Sequence, residues 1–126
     1  MKTKLSSSAI WEDTIGYSRA IRVDNIIEIA GTAAVSNGNV VHTGDAYNQT
    51  LFIIRILEHV LKQLDASLEN VVRTRIYLKH ISDWEDVGKA HGEYFSKIKP
   101  VSTMIAVSSM INPEMLVEIE ATAIID

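Results

Sequence analysis

The hydrophobic period of this chain switches repeatedly, and the switching leaves few folds open. From about Asp45 to Leu64 apolar residues recur at steps of three and four. Leu51, Ile54, Leu57, Val60, Leu61 and Leu64 form one wide stripe, which Phe52, Ile53 and Ile56 broaden further. From Val71 to Lys79 the period is two, with Val72, Thr74, Ile76 and Leu78 facing one way and Arg73, Arg75, Tyr77 and Lys79 the other. The helical period returns with Trp84, Val87, His91, Tyr94 and Ile98 and must stop before Pro100. Two further strands follow, Ser102 to Ser108 and, after the Asn112-Pro113 turn, Leu116 to Ile125. The first helix is too broadly apolar for one shallow contact, so it predicts heavy burial. The alternating strand predicts a sheet with one covered face and one open face.

Upstream, a polar N-terminal segment leads into two β-rich runs, Tyr17 to Val23 and Ile26 to Thr32, separated by Asp24-Asn25, which predicts a hairpin. Ser36-Asn37-Gly38-Asn39 marks a second turn before a short run at Val40 and Val41. Ser82-Asp83-Trp84-Glu85 has the pattern of a capping box, placing the start of the second helix there. The resulting order is strand, strand, helix, strand, helix, strand, strand. That is an α+β architecture with two helices packed on one face of a mixed β-sheet, in which Val71 to Ser108 forms a right-handed parallel crossover. No Ser/Gly-rich or single-charge tract divides the 126 residues, which read as one domain over 1–126.

Composition removes several function classes. An apolar share of 47% with 22% charged residues is the opposite of a disordered chain, and in so short a domain it leaves apolar surface for another subunit. A net charge of −4 with scattered cations lacks the footprint a phosphate backbone demands, so no nucleic-acid partner is expected. Without cysteine there is no disulfide, thiolate catalysis or Cys-ligated metal. His42, His59, His80 and His91 lack the spacing of a local metal site, and neither HExxH, GxSxG, GxGxxG nor a P-loop occurs. The start resembles no signal peptide and no stretch approaches a membrane span, which predicts a soluble cytoplasmic protein.

The last strand puts Glu118, Glu120 and Thr122 on one side, the helix-free face that also carries Arg73, Arg75 and Tyr77. Two readings of these charges stand. They pair across strands as a solvated or interfacial surface, or one carboxylate lies in a cleft and orients a water. His91, on the apolar stripe of the second helix, is either a hydrogen-bonded core or interface residue or part of a ligand pocket.

Several runs, in order, resemble the RidA (YjgF, endoribonuclease L-PSP) family: Gly16-Tyr17-Ser18-Arg19-Ala20, Ile29-Ala30-Gly31-Thr32, Val71 to Leu78, Pro100-Val101-Ser102-Thr103 and Val117-Glu118-Ile119-Glu120-Ala121. The resemblance runs from about residue 14 to the C-terminus. It implies a chorismate-mutase-like sandwich, a homotrimer whose sheets form a central barrel, and ligand clefts between subunits. It further implies hydrolysis of reactive enamines and imines to a ketone or keto acid and ammonia, with no metal or cofactor. In that reading Glu118 positions the attacking water, and Tyr17 with the backbone around Gly31 shapes the pocket.

Three positions depart from the family pattern. The active deaminases carry an arginine that forks onto the substrate carboxylate where this chain has Ser102. Gly88 replaces an asparagine early in the second helix, and Gly-Pro-Tyr has become Gly16-Tyr17. Loss of a buried charge-assisted contact of roughly 2–4 kcal/mol weakens an α-imino acid by tens- to several hundred-fold. The chain is thus similar to an arginine-lacking branch. The expected function is hydrolysis of an imine or enamine that has no carboxylate or binds it differently, with Glu118 as catalyst. Ser102, Thr103 and the backbone near Met104 are the expected polar anchors. The alternative is a trimeric small-molecule-binding or regulatory protein without turnover; ribonuclease activity fits an acidic chain poorly.

Overall fold

In the computed structural model, which describes residues 1–126, the elements in chain order are β1 (Lys2–Leu5), β2 (Ala20–Val23), β3 (Ile26–Ala33), β4 (Val35–Ser36), β5 (Asn39–Val40), α1 (Ala46–Gln63), β6 (Val71–Leu78), α2 (Trp84–Phe95), β7 (Val101–Ala106) and β8 (Val117–Ile124). Local chemistry sets the boundaries. Asp24 takes a positive φ of 54° in the β2–β3 turn. Asn37 and Gly38 are both positive, at 51° and 79°, as the tight hairpin joining β4 and β5 requires. Asp45 caps α1 by accepting from the Asn48 amide at 2.9 Å. At the other end Arg22 donates from Nη1 to the Leu64 carbonyl at 2.6 Å, a cation placed among orphaned helix carbonyls.

The main sheet has the order β1-β2-β3-β8-β6-β7, with every neighbouring pair antiparallel except β6 and β7. The β6–α2–β7 crossover is therefore parallel, as the period changes predict, and the sheet is mixed. Ile53, Ile54, Leu57 and Leu61 of α1 are fully buried with Ile27, Ile76, Leu78, Val117 and Ile119 of the sheet, and Val87 and Phe95 of α2 close the same core. Each such side chain contributes about 1.5–3 kcal/mol, and the packing of α1 and α2 on one face leaves the other face of the sheet open. No helix is long and apolar enough to cross a membrane.

Four local expectations are corrected. The alternation in β6 slips at its start: Val71 is 3% exposed and Val72 40%. The register with β8 shifts between Val71 and Arg73, and this bulge turns Val72 outward. Ser82 does not cap α2, because the chain enters through a 3-10 turn, Ile81–Asp83, in which the Asp83 amide bonds the His80 carbonyl and Ser82 lies inside the turn. The capping box that does form is Ser67 with Asn70, before β6. Trp84, placed on the apolar stripe by spacing, sits on the first turn of α2 and is 54% exposed. The polar N-terminal segment contributes β1, an edge strand whose Lys2, Thr3 and Lys4 stay in water.

Candidate active site

Where β3 meets β8 the pairing slips: Ile29 faces Ala121, but three residues further Thr32 faces Ile119, only two residues back along β8. The extra residue bulges the strand at Ala30-Gly31. A Cβ on Gly31 would stand 3.1 Å from both Cδ and Oε1 of Glu118, so only glycine lets that carboxylate lie directly against the backbone. The carboxylate faces a cavity of about 360 Å³ whose wall includes Trp11, Tyr17, Arg19, Gly31 and Tyr77. The far wall is the loop after β7, through Val107, Met110, Ile111 and Met115. Fully buried Gln49 on α1 holds that loop. Its Nε2 donates to the Glu114 carbonyl at 3.0 Å and its Oε1 accepts from the Leu116 amide at 2.9 Å.

Glu118 and Glu120 differ sharply for residues on one face of one strand. Glu120 accepts from the Tyr77 hydroxyl at 2.7 Å and lies 3.8 Å from Arg75 Nη1, which is the cross-strand pairing reading. Glu118 has no hydrogen bond. Burial pushes its carboxyl above the usual range, Arg19 opposes the rise and Glu120 adds to it. The cleft reading therefore belongs to Glu118 alone. Such a carboxyl, against a cavity, is suited to accept and return a proton.

Arg19 precedes β2 and reaches the same cavity. Its Nη2 donates to the Gly31 carbonyl at 2.5 Å, while its buried Nε has no partner. Burial pulls this guanidinium below its usual range, and the charges of Tyr17, Glu12 and Glu118 oppose that. The π-helical turn Glu12–Gly16 brings Trp11 and Tyr17 to the site. It is fastened from Ser7, whose hydroxyl and amide donate to Glu12 and hold its carboxyl below the ordinary range.

Of the other expected site residues, Ser102, Met104 and His91 lie on the helix side of the sheet. His91 Nε2 lies 2.9 Å from Thr74 Oγ1, and Thr74 donates to Ser102 Oγ at 2.8 Å across the parallel β6–β7 pair. The His91 ring packs on Phe95 at 4.6 Å between centroids, and burial holds its pKa below the ordinary value. This is the hydrogen-bonded reading of His91. Met104 packs onto the core, and Thr103 alternates to the open face opposite Arg75. Within one chain, Tyr17, Gly31 and Glu118 meet around a single cavity; Ser102, Thr103, Met104 and His91 do not line it. They lie on and behind β7, the last strand of the sheet. Gly88 has nothing within 4 Å of where a Cβ would stand, so the side chain expected there by resemblance is simply missing.

Sequence reasoning gave no site role to Arg19, Trp11 or the loop after β7. A signal for Arg19 existed, since it stands two residues after Tyr17 in an extended run and so shares its face. Nothing comparable announced the loop, whose position depends on the distant Gln49.

Comparison with known proteins gives a consistent result. The sequence profile of the Endoribonuclease L-PSP family matches residues 8–125. A crystal structure of a YjgF-family member from Mycobacterium tuberculosis superposes with a TM-score of 0.90 at 41% identity, covering 99% of this chain and 100% of that one. An uncharacterized protein of Streptomyces coelicolor is 32% identical over 120 residues, 95% of this chain and 90% of its own. The 3-aminoacrylate deaminase RutC of Acinetobacter baylyi is 31% identical over 108 residues, 85% of each chain.

Proposed function

This chain belongs to the Endoribonuclease L-PSP (RidA/YjgF) family, and from that premise we propose that it hydrolyses reactive imines or enamines to a carbonyl compound and ammonia. The observation that carries this reading is Glu118: a half-buried carboxylate, free of hydrogen bonds to the protein, laid against Gly31 on the wall of a cavity. Water held between Glu118 and a C=N carbon loses a proton to the carboxylate as its oxygen bonds to carbon. The nitrogen takes up that proton to become an ammonium leaving group; the carbinolamine hydroxyl then gives its own proton back to Glu118 as the C–N bond breaks, leaving C=O and ammonia. No metal or cofactor enters, because a protonated imine is already electrophilic and needs mainly orientation and a nearby negative group. The deaminase name of the RutC relative is in keeping with this class of reaction.

The site is completed between subunits of a homotrimer. Support comes from β7, an edge strand on which Val101 and Ile105 are 57% and 47% exposed, and from Ser102 lying beside that edge, away from the Glu118 cavity of its own chain. Ser102 presents a neutral hydroxyl where an arginine would present a cation, so the substrate lacks a carboxylate or binds it elsewhere. Without cysteines the chain needs no oxidising compartment, which suits a cytoplasmic setting.

Ammonia release from a panel of imines tests the reaction: Glu118→Ala is expected to lose about 10²–10⁴-fold in kcat/KM while the protein stays folded. Unchanged turnover in that variant overturns the reading. Solution mass is expected to be that of three chains, and a monomer removes the shared cleft. A second reading, small-molecule binding without turnover, is favoured by the neutral Ser102 at the position where the resemblance places a substrate-binding arginine. Saturable binding with no product from any imine is its mark. RNA cleavage at physiological salt that a cleft variant abolishes would instead revive the ribonuclease reading.

A further inference from the structure

Arg19 is the cation of the cavity that the protein itself leaves under-used. A guanidinium has five N–H donors in a planar fork and stays protonated. Here Nη2 serves the Gly31 carbonyl, Nε is buried with no partner, and no carboxylate lies within ion-pair distance. Glu12, the carboxylate of the π-helical turn whose charge acts on Arg19, is occupied by Ser7. Glu118 acts on Arg19 through space but is not bonded to it. A fixed charge with spare donors, on the wall of a cavity large enough for a small metabolite, is complementary to a planar oxyanion.

Position 102 brings no cation to that role, and it does not line the cavity of its own chain. We propose that Arg19 is the anion-binding residue of this site: the ligand is a small carboxylate-bearing imine or enamine whose carboxylate pairs with Arg19 while its C=N carbon faces Glu118. The inference rests on the hydrolase reading for the C=N group only. Anion and water are then handled by one chain, from two residues that flank Gly31. The guanidinium is anchored to the backbone of that glycine and the carboxylate leans on its Cα, so the spacing between the two groups is set by the bulge and not by a subunit interface.

The test uses the assembled protein and two unreactive probes of one size, pyruvate and its neutral counterpart pyruvamide, with binding followed by calorimetry or ligand-observed NMR. Wild type is expected to prefer pyruvate. Arg19→Gln should lose about 10- to 100-fold in pyruvate affinity with pyruvamide unchanged, and Arg19→Lys should restore part of the loss. Equal loss for both probes would make Arg19 a mere prop for Gly31 and overturn the proposal, as would no preference for pyruvate in wild type. Should Arg19→Gln fail to fold, Arg19→Lys and the wild-type preference still decide. An Arg19-dependent preference without any imine turnover sinks the hydrolase reading and leaves the anion site standing. Turnover of a carboxylate-bearing imine that Arg19→Gln does not impair does the reverse.

Discussion

Around Glu118, half-buried charged groups are left short of partners within the chain; around Thr74, on the opposite face of the same sheet, neutral groups are paired with one another. Glu118 has no hydrogen bond and Arg19 Nε has none. Thr74, fully buried, touches both His91 Nε2 and Ser102 Oγ. Leaving a buried polar group unpaired costs about 1–3 kcal/mol, and more if it is charged. The first region is therefore arranged for something that is not part of the chain. The second closes on itself. A functional site is recognised here less by which residue types are present than by which of them the fold declines to satisfy.

The contrast can be broken by experiment, and the largest effect belongs to the unsatisfied side. Glu118→Gln keeps the shape but not the base, and is expected to lower kcat/KM by about 10²–10⁴-fold with little change in Tm, read by ammonia release and thermal melts. On the satisfied side the effect should fall on stability instead. Thr74→Val removes the hydroxyl between His91 and Ser102 and should cost about 1–3 kcal/mol in denaturant unfolding. A larger loss of activity than of stability in that variant would mean that the two regions are not separate. Gly31→Ala comes next: its methyl must displace the Glu118 carboxylate by a few tenths of an ångström, and about a tenfold drop in kcat with an intact fold is expected.

The smallest effect separates the regions by pH. Glu118 has a folded pKa above its unfolded one, so the native state holds that proton more tightly, and stability falls as pH rises from the ordinary carboxylate range through the raised value. Activity should climb over the same interval as the base form appears. His91 has a folded pKa below its unfolded one, so its contribution is present above the ordinary imidazole range and is lost as pH falls through the lowered value. Unfolding titrations of Glu118→Gln and His91→Asn should each flatten one of these opposite slopes.

Much of this was legible in the sequence for a physical reason: the parts governed by period are local. The α1 stripe, the crossover and the two faces of β8 follow from spacing alone, and so does the placement of Glu118 beside Arg75 and Tyr77. What escaped depends on contacts distant in sequence. Whether Glu118 or Glu120 is paired is decided by where Tyr77 and Arg75 reach, and both carboxylates read alike in the chain. The exposure of Val72 is decided by a bulge against β8. Ser82 has the right neighbours for a cap and fails only because the chain arrives by a tighter turn. The resemblance placed Tyr17, Gly31 and Glu118 in one pocket, and the fold brings those three together; it offered no partner for Ser102, which turned out to be Thr74 from the adjacent strand.

The position of β8 has a consequence for synthesis. It is the last strand in chain order, yet it lies between β3 and β6 in the middle of the sheet, and it carries Glu118. On the ribosome, every earlier strand must wait with the sheet unclosed until residues through Ile124 have emerged, because the long-range pairings that hold the two halves together do not exist before then. Until then the edges of β3 and β6 that β8 will occupy have no strand paired to them. The carboxylate meets Gly31 only once β8 has paired with β3, so a chain that has not emerged through Ile124 lacks this contact.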